Sequence, residues 1–158
     1  MALYPVCVAY RGHPRLGKGL TVKPNNRSRC PINLSLEIWG DKWTLLIIRD
    51  MMFLEKRTYG EFLKSDEGIS TNILADRLKM LTENGIIEQT NSTQTRSGSA
   101  YRLTRKGIGL LPVMAEIYIW SDAHLDLSDD LRNRIQEIKD DKAAFITAVA
   151  ETLSKECD

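Results

Sequence analysis

The chain has 158 residues, 22 Lys and Arg against 21 Asp and Glu, and a formal charge of +1. With 42% hydrophobic and 27% charged residues, it has the composition of one globular domain with extensions, which argues against wholesale disorder. No apolar run approaches the ~18–20 residues of a membrane span, and Arg11, His13, Arg15 and Lys18 interrupt the N-terminus too early for a secretory signal.

Charge is spread unevenly. Residues 1–29 carry Arg11, Arg15, Lys18, Lys23, Arg27 and Arg29 with no acid, whereas acids outnumber bases from Asp126 onward. The first stretch, rich in Gly, Pro, Asn and Arg and without periodicity, reads as a basic, flexible extension. Residues 30–125 read as the ordered domain, and 126–158 as an acidic, amphipathic helical tail. Cys7, Cys30 and Cys157 are odd in number and far apart, which suits neither a disulfide framework nor a zinc cluster. The expected compartment is reducing and cytoplasmic.

Order is expected from Cys30-Pro31. Ile32, Leu34, Leu36, Ile38 and Trp39 suit a helix stopped by Gly40. Asp41 is an N-cap candidate for a second helix, Lys42 to Phe53, whose apolar residues leave almost no polar face. A short helix from Thr58 to Ser65 follows. Ser70 then caps a helix in which Leu74, Leu78 and Leu81 share one side and Gly85 is the stop. At 100° per residue the opposite face carries Asn72, Ala75, Asp76, Lys79 and Glu83.

Residues 86–90 and 100–104 read as paired strands. The loop between them is too long for a tight hairpin and holds Arg96, Gly98 and several Ser and Thr, but no acid. Helices followed by strand, polar loop and strand are the plan of a mainly α (α+β) winged helix-turn-helix. Thr104 caps a further, very apolar helix in which Pro112 marks either a kink or the true first turn. Such a helix needs a second surface to pack on, and another copy of the chain is the cheapest. The expected dimer surface comprises Leu34, Ile38, Leu111, Met114, Tyr118, Trp120, Leu131 and Ile135. From Asp129 to Lys155 two apolar stripes are divided near Asp140-Asp141.

Catalytic and metal motifs are missing from the sequence. His13 and His124 have no partner at metal-ligand spacing, and there is no G-x-S-x-G elbow, phosphate loop or G-x-G-x-x-G fingerprint. The chain reads as a non-enzyme without metal or cofactor.

The positive case is for double-stranded DNA. A helix in the major groove reads bases with residues near its N-terminus, here Ser70, Thr71, Asn72, Ala75, Asp76, Arg77 and Lys79. Asn can bond adenine twice, Ala can meet a thymine methyl, and Lys can reach phosphate or guanine. Asp76 repels phosphate unless it accepts from cytosine or pairs with Arg77 or Lys79. Taken alone, this face reads more readily as that of a solvated surface helix. The surroundings favour contact with DNA: Arg96, Ser97, Ser99 and Arg102 lie in or beside the wing, near Arg105 and Lys106. Lys56, Arg57 and Tyr59 open the preceding helix, where cations and backbone amides commonly hold phosphate.

Cys30-Pro31 followed by Ile38-Trp39-Gly40-Asp41-Lys42-Trp43-Thr44-Leu45-Leu46-Ile47 resembles the opening signature of the HxlR-type regulators, relatives of the MarR winged-helix group. Residues 57–62, 68–86 with Leu74, Leu78, Leu81 and Gly85, residues 101–107, and 111–120 resemble the family's later segments in the right order. The likeness spans about residues 30–125. It implies a homodimeric transcriptional regulator, a repressor rather than an activator, bound to a two-fold related operator without a metal or catalytic role; the inducer is left unknown. The wing departs from the family in being Ser/Thr/Gly-rich where prolines are common, and Asp41 stands where a small residue is usual. The resemblance also suggests a thiol sensor at Cys30, with Arg27, Arg29 and a helix start lowering its pKa. The residues themselves favour a cysteine that only packs. A winged-helix module for protein assembly, with the acidic tail as its partner surface, is the competing functional class.

Overall fold

The computed structural model describes residues 30–90 and 99–155. Its first helix, α1 (Pro31–Trp39), starts on a proline in its first turn and ends at Gly40, whose N–H returns to the Leu36 carbonyl. A Cβ on Gly40 would lie 2.4 Å from that same oxygen, so only glycine fits this exit. Helix α2 is Thr44–Phe53, two residues shorter at its start than the sequence suggests. Asp41 still organises that start: its carboxylate accepts from the backbone N–H groups of Trp43 at 2.8 Å and Thr44 at 3.1 Å and from the Thr44 hydroxyl at 2.5 Å.

Helix α3 (Tyr59–Leu63) is held by a capping box, in which Thr58 receives the Glu61 N–H and Glu61 receives the Thr58 N–H. Helix α4 (Thr71–Glu83) buries Leu74, Leu78 and Leu81. Gly85, at φ +64°, then turns the chain into β1 (Ile87–Thr90). Strand β2 (Ala100–Leu103) pairs antiparallel with β1, Ile87 opposite Leu103 and Thr90 opposite Ala100. Ala100 also bridges to Thr58, and the Tyr101 N–H donates to the Arg57 carbonyl at 2.7 Å. The wing is thereby stitched to the segment just before α3.

Thr104 caps only the short α5 (Arg105–Ile108), and Pro112 lies in the first turn of a separate α6 (Leu111–His124). Of the two roles open to Pro112, the helix start is the one observed. The division near Asp140-Asp141 is also real: α7 (Asp129–Asp140) is followed by α8 (Lys142–Ser154), where Asp141 accepts the Ala144 N–H.

One continuous core joins Ile47, Ile48 and Met51 of α2, Phe62, the α4 leucines, Ile86, Ile87, Leu103, Leu111 and Met114. Leu153 of α8 is buried in the same cluster, with Phe145, Ile146 and Val149 packed against it. The C-terminal helices therefore fold back on the winged helix. Burying side chains of this size stabilises by roughly 1.5–3 kcal/mol each.

Asp50 lies 2% exposed inside this apolar framework. It is paired with Arg49 at 2.5 Å and Lys56 at 2.9 Å, and it accepts the Ser65 hydroxyl at 2.5 Å. Arg49 extends the network to Glu67 at 2.5 Å. Burial pushes the Asp50 carboxyl up, but the bonds from Ser65, Lys56 and Arg49 outweigh it and hold the pKa below 3.8. The cluster fastens α2 to the α3–α4 connection, and hence sets where α4 starts.

Candidate nucleic-acid interface

The side chains of α4 divide cleanly. Leu74 and Leu81 are fully buried and Leu78 is 2% exposed, while Thr71, Asn72, Ala75, Asp76 and Lys79 are all exposed. The buried row locks the helix rotationally, so the polar row faces out in one register. Tyr59 fixes the N-terminal end: its hydroxyl donates to the Thr71 carbonyl at 2.8 Å. Ser70 occupies the N-cap position in extended backbone, with its carbonyl accepting the Leu74 N–H at 2.9 Å. Its hydroxyl makes no cap hydrogen bond, which corrects the expectation that this side chain closes the helix end. It stands exposed beside Thr71 and Asn72.

Several expected cations are engaged within the protein. The Arg57 guanidinium donates to the carbonyls of Met51 at 2.8 Å and Lys56 at 2.9 Å, so it braces the α2–α3 turn. Lys56 serves Asp50. Arg77 reaches Asp41 at 3.1 Å, joining α4 to the start of α2. Burial pushes the Asp41 carboxyl up, but the bonds from the Thr44 hydroxyl and the Trp43 and Thr44 N–H groups, with Arg77 beside it, outweigh that and hold the pKa below its usual value. Arg102 pairs with Glu88 across the strands at 2.7 Å.

Lys79 is the least committed cation on α4, only 3.9 Å from Glu83 with both groups largely exposed, a weak pair. Asp76 pairs with neither Arg77 nor Lys79, since each has another partner. Arg105 and Lys106 are exposed at the wing exit, and Lys106 donates to the Asn84 carbonyl at 2.7 Å. Ser99 is half-buried at the edge of β2, while Arg96 and Ser97 lie outside the described residues. A groove of about 320 Å³ runs beside α4, lined by Tyr59, Ala75, Lys79, Gln89 and Tyr101 among others. Gln89 was not singled out by the sequence; its outward position in β1 becomes visible only once the strand register is known.

The expected dimer residues also separate. Leu111, Met114 and Ile135 are 0%, 5% and 4% exposed, so they fill the protomer's own core and have no surface to offer a second copy. The apolar run of α6 conceals this, because helical spacing cannot say which side the protomer itself covers. Leu34, Ile38 and Tyr118 are half-buried, and the Tyr118 ring lies edge-on to Phe53 at 5.8 Å. Trp120 and Leu131 are exposed, as are Ile32, Leu36, Ile117 and Leu125, which sequence reading did not select. Cys30 is partly exposed at the N-cap position of α1.

Among the described residues there is no His/Cys/Asp/Glu group arranged to hold a metal, and no helix long and apolar enough to cross a membrane.

Residues 38–129 match the family described as HxlR-like helix-turn-helix. The HTH-type transcriptional regulator YodB of Bacillus subtilis is 34% identical over 101 residues, 63% of this chain and 89% of YodB. The chain spans a smaller share, 58%, of mycobacterial relatives such as the HTH-type regulator Rv3095 of Mycobacterium tuberculosis. Among solved structures, the transcription factor PA1607 superposes with a TM-score of 0.58 at 36% identity, over 66% of this chain and 71% of that one. The reduced form of YodB gives 0.51 at 31% identity, over 65% of this chain and all of YodB. The redox regulator HypR in its oxidised form gives 0.53 at 25% identity, over 62% of this chain and all of HypR.

Proposed function

Because the chain belongs to the HxlR-like helix-turn-helix family and is a DNA-binding transcriptional regulator, we propose that it works as a homodimeric repressor on a two-fold related operator. The observation that carries this reading is the outer face of α4, where exposed Thr71, Asn72, Ala75 and Lys79 stand over a fully anchored apolar row. Ser70, Thr71, Asn72 and Ala75 enter the major groove; Asn72 supplies bidentate recognition and Ala75 the apolar contact. Asp76 accepts from a cytosine amino group. Lys79, Arg105 and the wing residues Arg96, Ser97 and Ser99 hold phosphates. Tyr59, Arg57, Arg77 and Arg102 act through position, since the first is bonded to α4 and the others to the frame around it.

Dimerisation uses the apolar side chains that the protomer leaves outside. Ile32 and Leu36 of α1, Ile117 and Trp120 of α6, and Leu125 form this surface, with Leu34 and Ile38 behind it. Residues 30–125 form the DNA-binding domain, residues 1–29 an extension and 126–158 a tail that buttresses it. A two-fold axis through α1 and α6 sets the two α4 helices about 34–36 Å apart, one turn of duplex. Occupying the operator is the simplest action open to such a dimer, hence repression.

The test is operator affinity as a function of salt. Phosphate contacts release counterions, so affinity falls by orders of magnitude between about 50 and 200 mM salt. An assembly module held by apolar contacts would scarcely respond, and that result would displace the regulator reading.

A second reading concerns Cys30, the partly exposed thiol at the start of α1. Its likeness to a regulator described in an oxidised form supports a sensor role. Alkylating the full-length protein and measuring operator affinity decides it: unchanged binding by the modified protein leaves Cys30 a packing residue.

A further inference from the structure

Between α2, α6, α7 and α8 lies a cavity of about 480 Å³, on a different part of the molecule from the outer face of α4. That volume is in the range of sites for small organic molecules. Its apolar wall contains an aromatic cluster. Phe53 sits at the centre, with Tyr118 edge-on at 5.8 Å and Phe145 stacked at 6.3 Å. Ile138, 6% exposed, completes the wall, and Leu131 stands half-exposed at the rim. The residues supplied by α7 and α8 lie beyond residues 38–129, the part matched by the family.

The charges lining this cavity are paired or exposed to solvent. At one end Arg49 is paired with Glu67, and Lys56 with Asp50. Of the remaining cations, Arg134 is paired with Asp130 at 3.3 Å and Lys64 is exposed to solvent. A ligand bearing a full charge would lose its hydration here without a dedicated counter-ion. An uncharged polar group is available beside the aromatic wall: the Tyr118 hydroxyl makes no hydrogen bond among the described residues. A buried or half-buried tyrosine hydroxyl usually finds a partner.

We propose that this cavity binds a neutral aromatic molecule of one or two ring systems, carrying a hydrogen-bonding group that meets the Tyr118 hydroxyl. The rings pack on Phe53 and Phe145, in offset or edge geometry. Arg49 and Glu67 are both part of the cavity lining and part of the tie between α2 and the α3–α4 connection. A molecule seated there consequently shifts the preferred position of α4 and alters operator affinity. This last consequence rests on the regulator reading; the binding itself does not.

N-phenyl-1-naphthylamine, a neutral, fluorescent amine of the proposed class, tests the site on the full-length chain without DNA. The expected result is saturable fluorescence enhancement, with weaker binding of 1-anilinonaphthalene-8-sulfonate, which carries the same ring skeleton with a fixed negative charge. Leu131→Trp narrows the rim and should weaken the neutral probe by about tenfold, while Tyr118→Phe should cost about three- to tenfold. Asn72→Ala, on the other face, should leave probe binding unchanged. No saturable binding up to the solubility of the probe, tighter binding of the sulfonate, or wild-type affinity in both cavity variants would overturn the proposal. Loss of operator binding with the probe site intact would count against the regulator reading alone. An intact operator response without a probe site would count against this one alone.

Discussion

Asp50 and its neighbours keep their charges for the protein, whereas the outer face of α4 leaves its polar groups to the surroundings. Asp50 is 2% exposed and answered by Arg49, Lys56 and Ser65 together. Asn72, Asp76 and Lys79 are exposed, and the nearest ion pair on that face is a 3.9 Å contact between Lys79 and Glu83. A charge buried at Asp50 costs several kcal/mol unless it is paired, so its partners are fixed by stability. A polar face open to water is free to answer to a ligand instead. The lesson is that cations near a reading helix are not interchangeable: Lys56, Arg57 and Arg77 are part of the scaffold, and Lys79 and Arg105 are available to phosphate.

The contrast is broken most forcefully at Asp50. Asp50→Ala leaves Lys56 without its ion partner and Arg49 with Glu67 alone, and should cost about 3–5 kcal/mol in urea unfolding. The same group sets an acid limit. Its folded-state pKa lies below the usual 3.8, so its contribution to stability is complete above that value and disappears as pH falls through the lower folded-state pKa. The variant should accordingly lack that part of the acid transition. A variant as stable as wild type would remove the distinction between scaffold and surface charge.

On the other side, Asn72→Ala should cost about 1–3 kcal/mol of operator affinity and relax sequence preference, with the unfolding midpoint unchanged. A parallel loss of stability would mean that the residue is structural. Thr58→Ala removes half of the capping box before α3 and should lower stability by about 1 kcal/mol. The smallest expected change is at the wing. Arg96→Ala should weaken all sequences alike and reduce the slope of log affinity against log salt by about 0.9. If it instead altered sequence preference as Asn72→Ala does, the division into base and backbone contacts would be wrong.

How much could be read from residues alone follows the same physics. The leucine row of α4, the Gly40 and Gly85 stops, the strand pair and the break at Asp140-Asp141 are local signals, and local signals survive folding. Ser70 had the right residue type for a cap, yet capping requires a side-chain torsion that residue type does not determine. Leu111, Met114 and Ile135 were misplaced on the dimer surface because an apolar helix does not reveal which side its own protomer covers. The partners of Arg57, Arg77 and Arg102 lie in the folded chain, so their internal roles depend on tertiary proximity. The cavity at Phe53, Tyr118 and Phe145 brings together three helices from distant parts of the sequence. Asp50, an acid within the apolar run of α2, was passed over as well, because its partners Lys56 and Ser65 come close only in the folded chain.

Selection of bound duplexes from a random pool, using the full-length protein at low ionic strength, tests the paired-helix account most directly. The account predicts enrichment of a palindrome whose half-sites are centred one helical turn apart, bound by two chains. Enrichment of a single asymmetric site by one chain, or no enrichment over the starting pool, would contradict it.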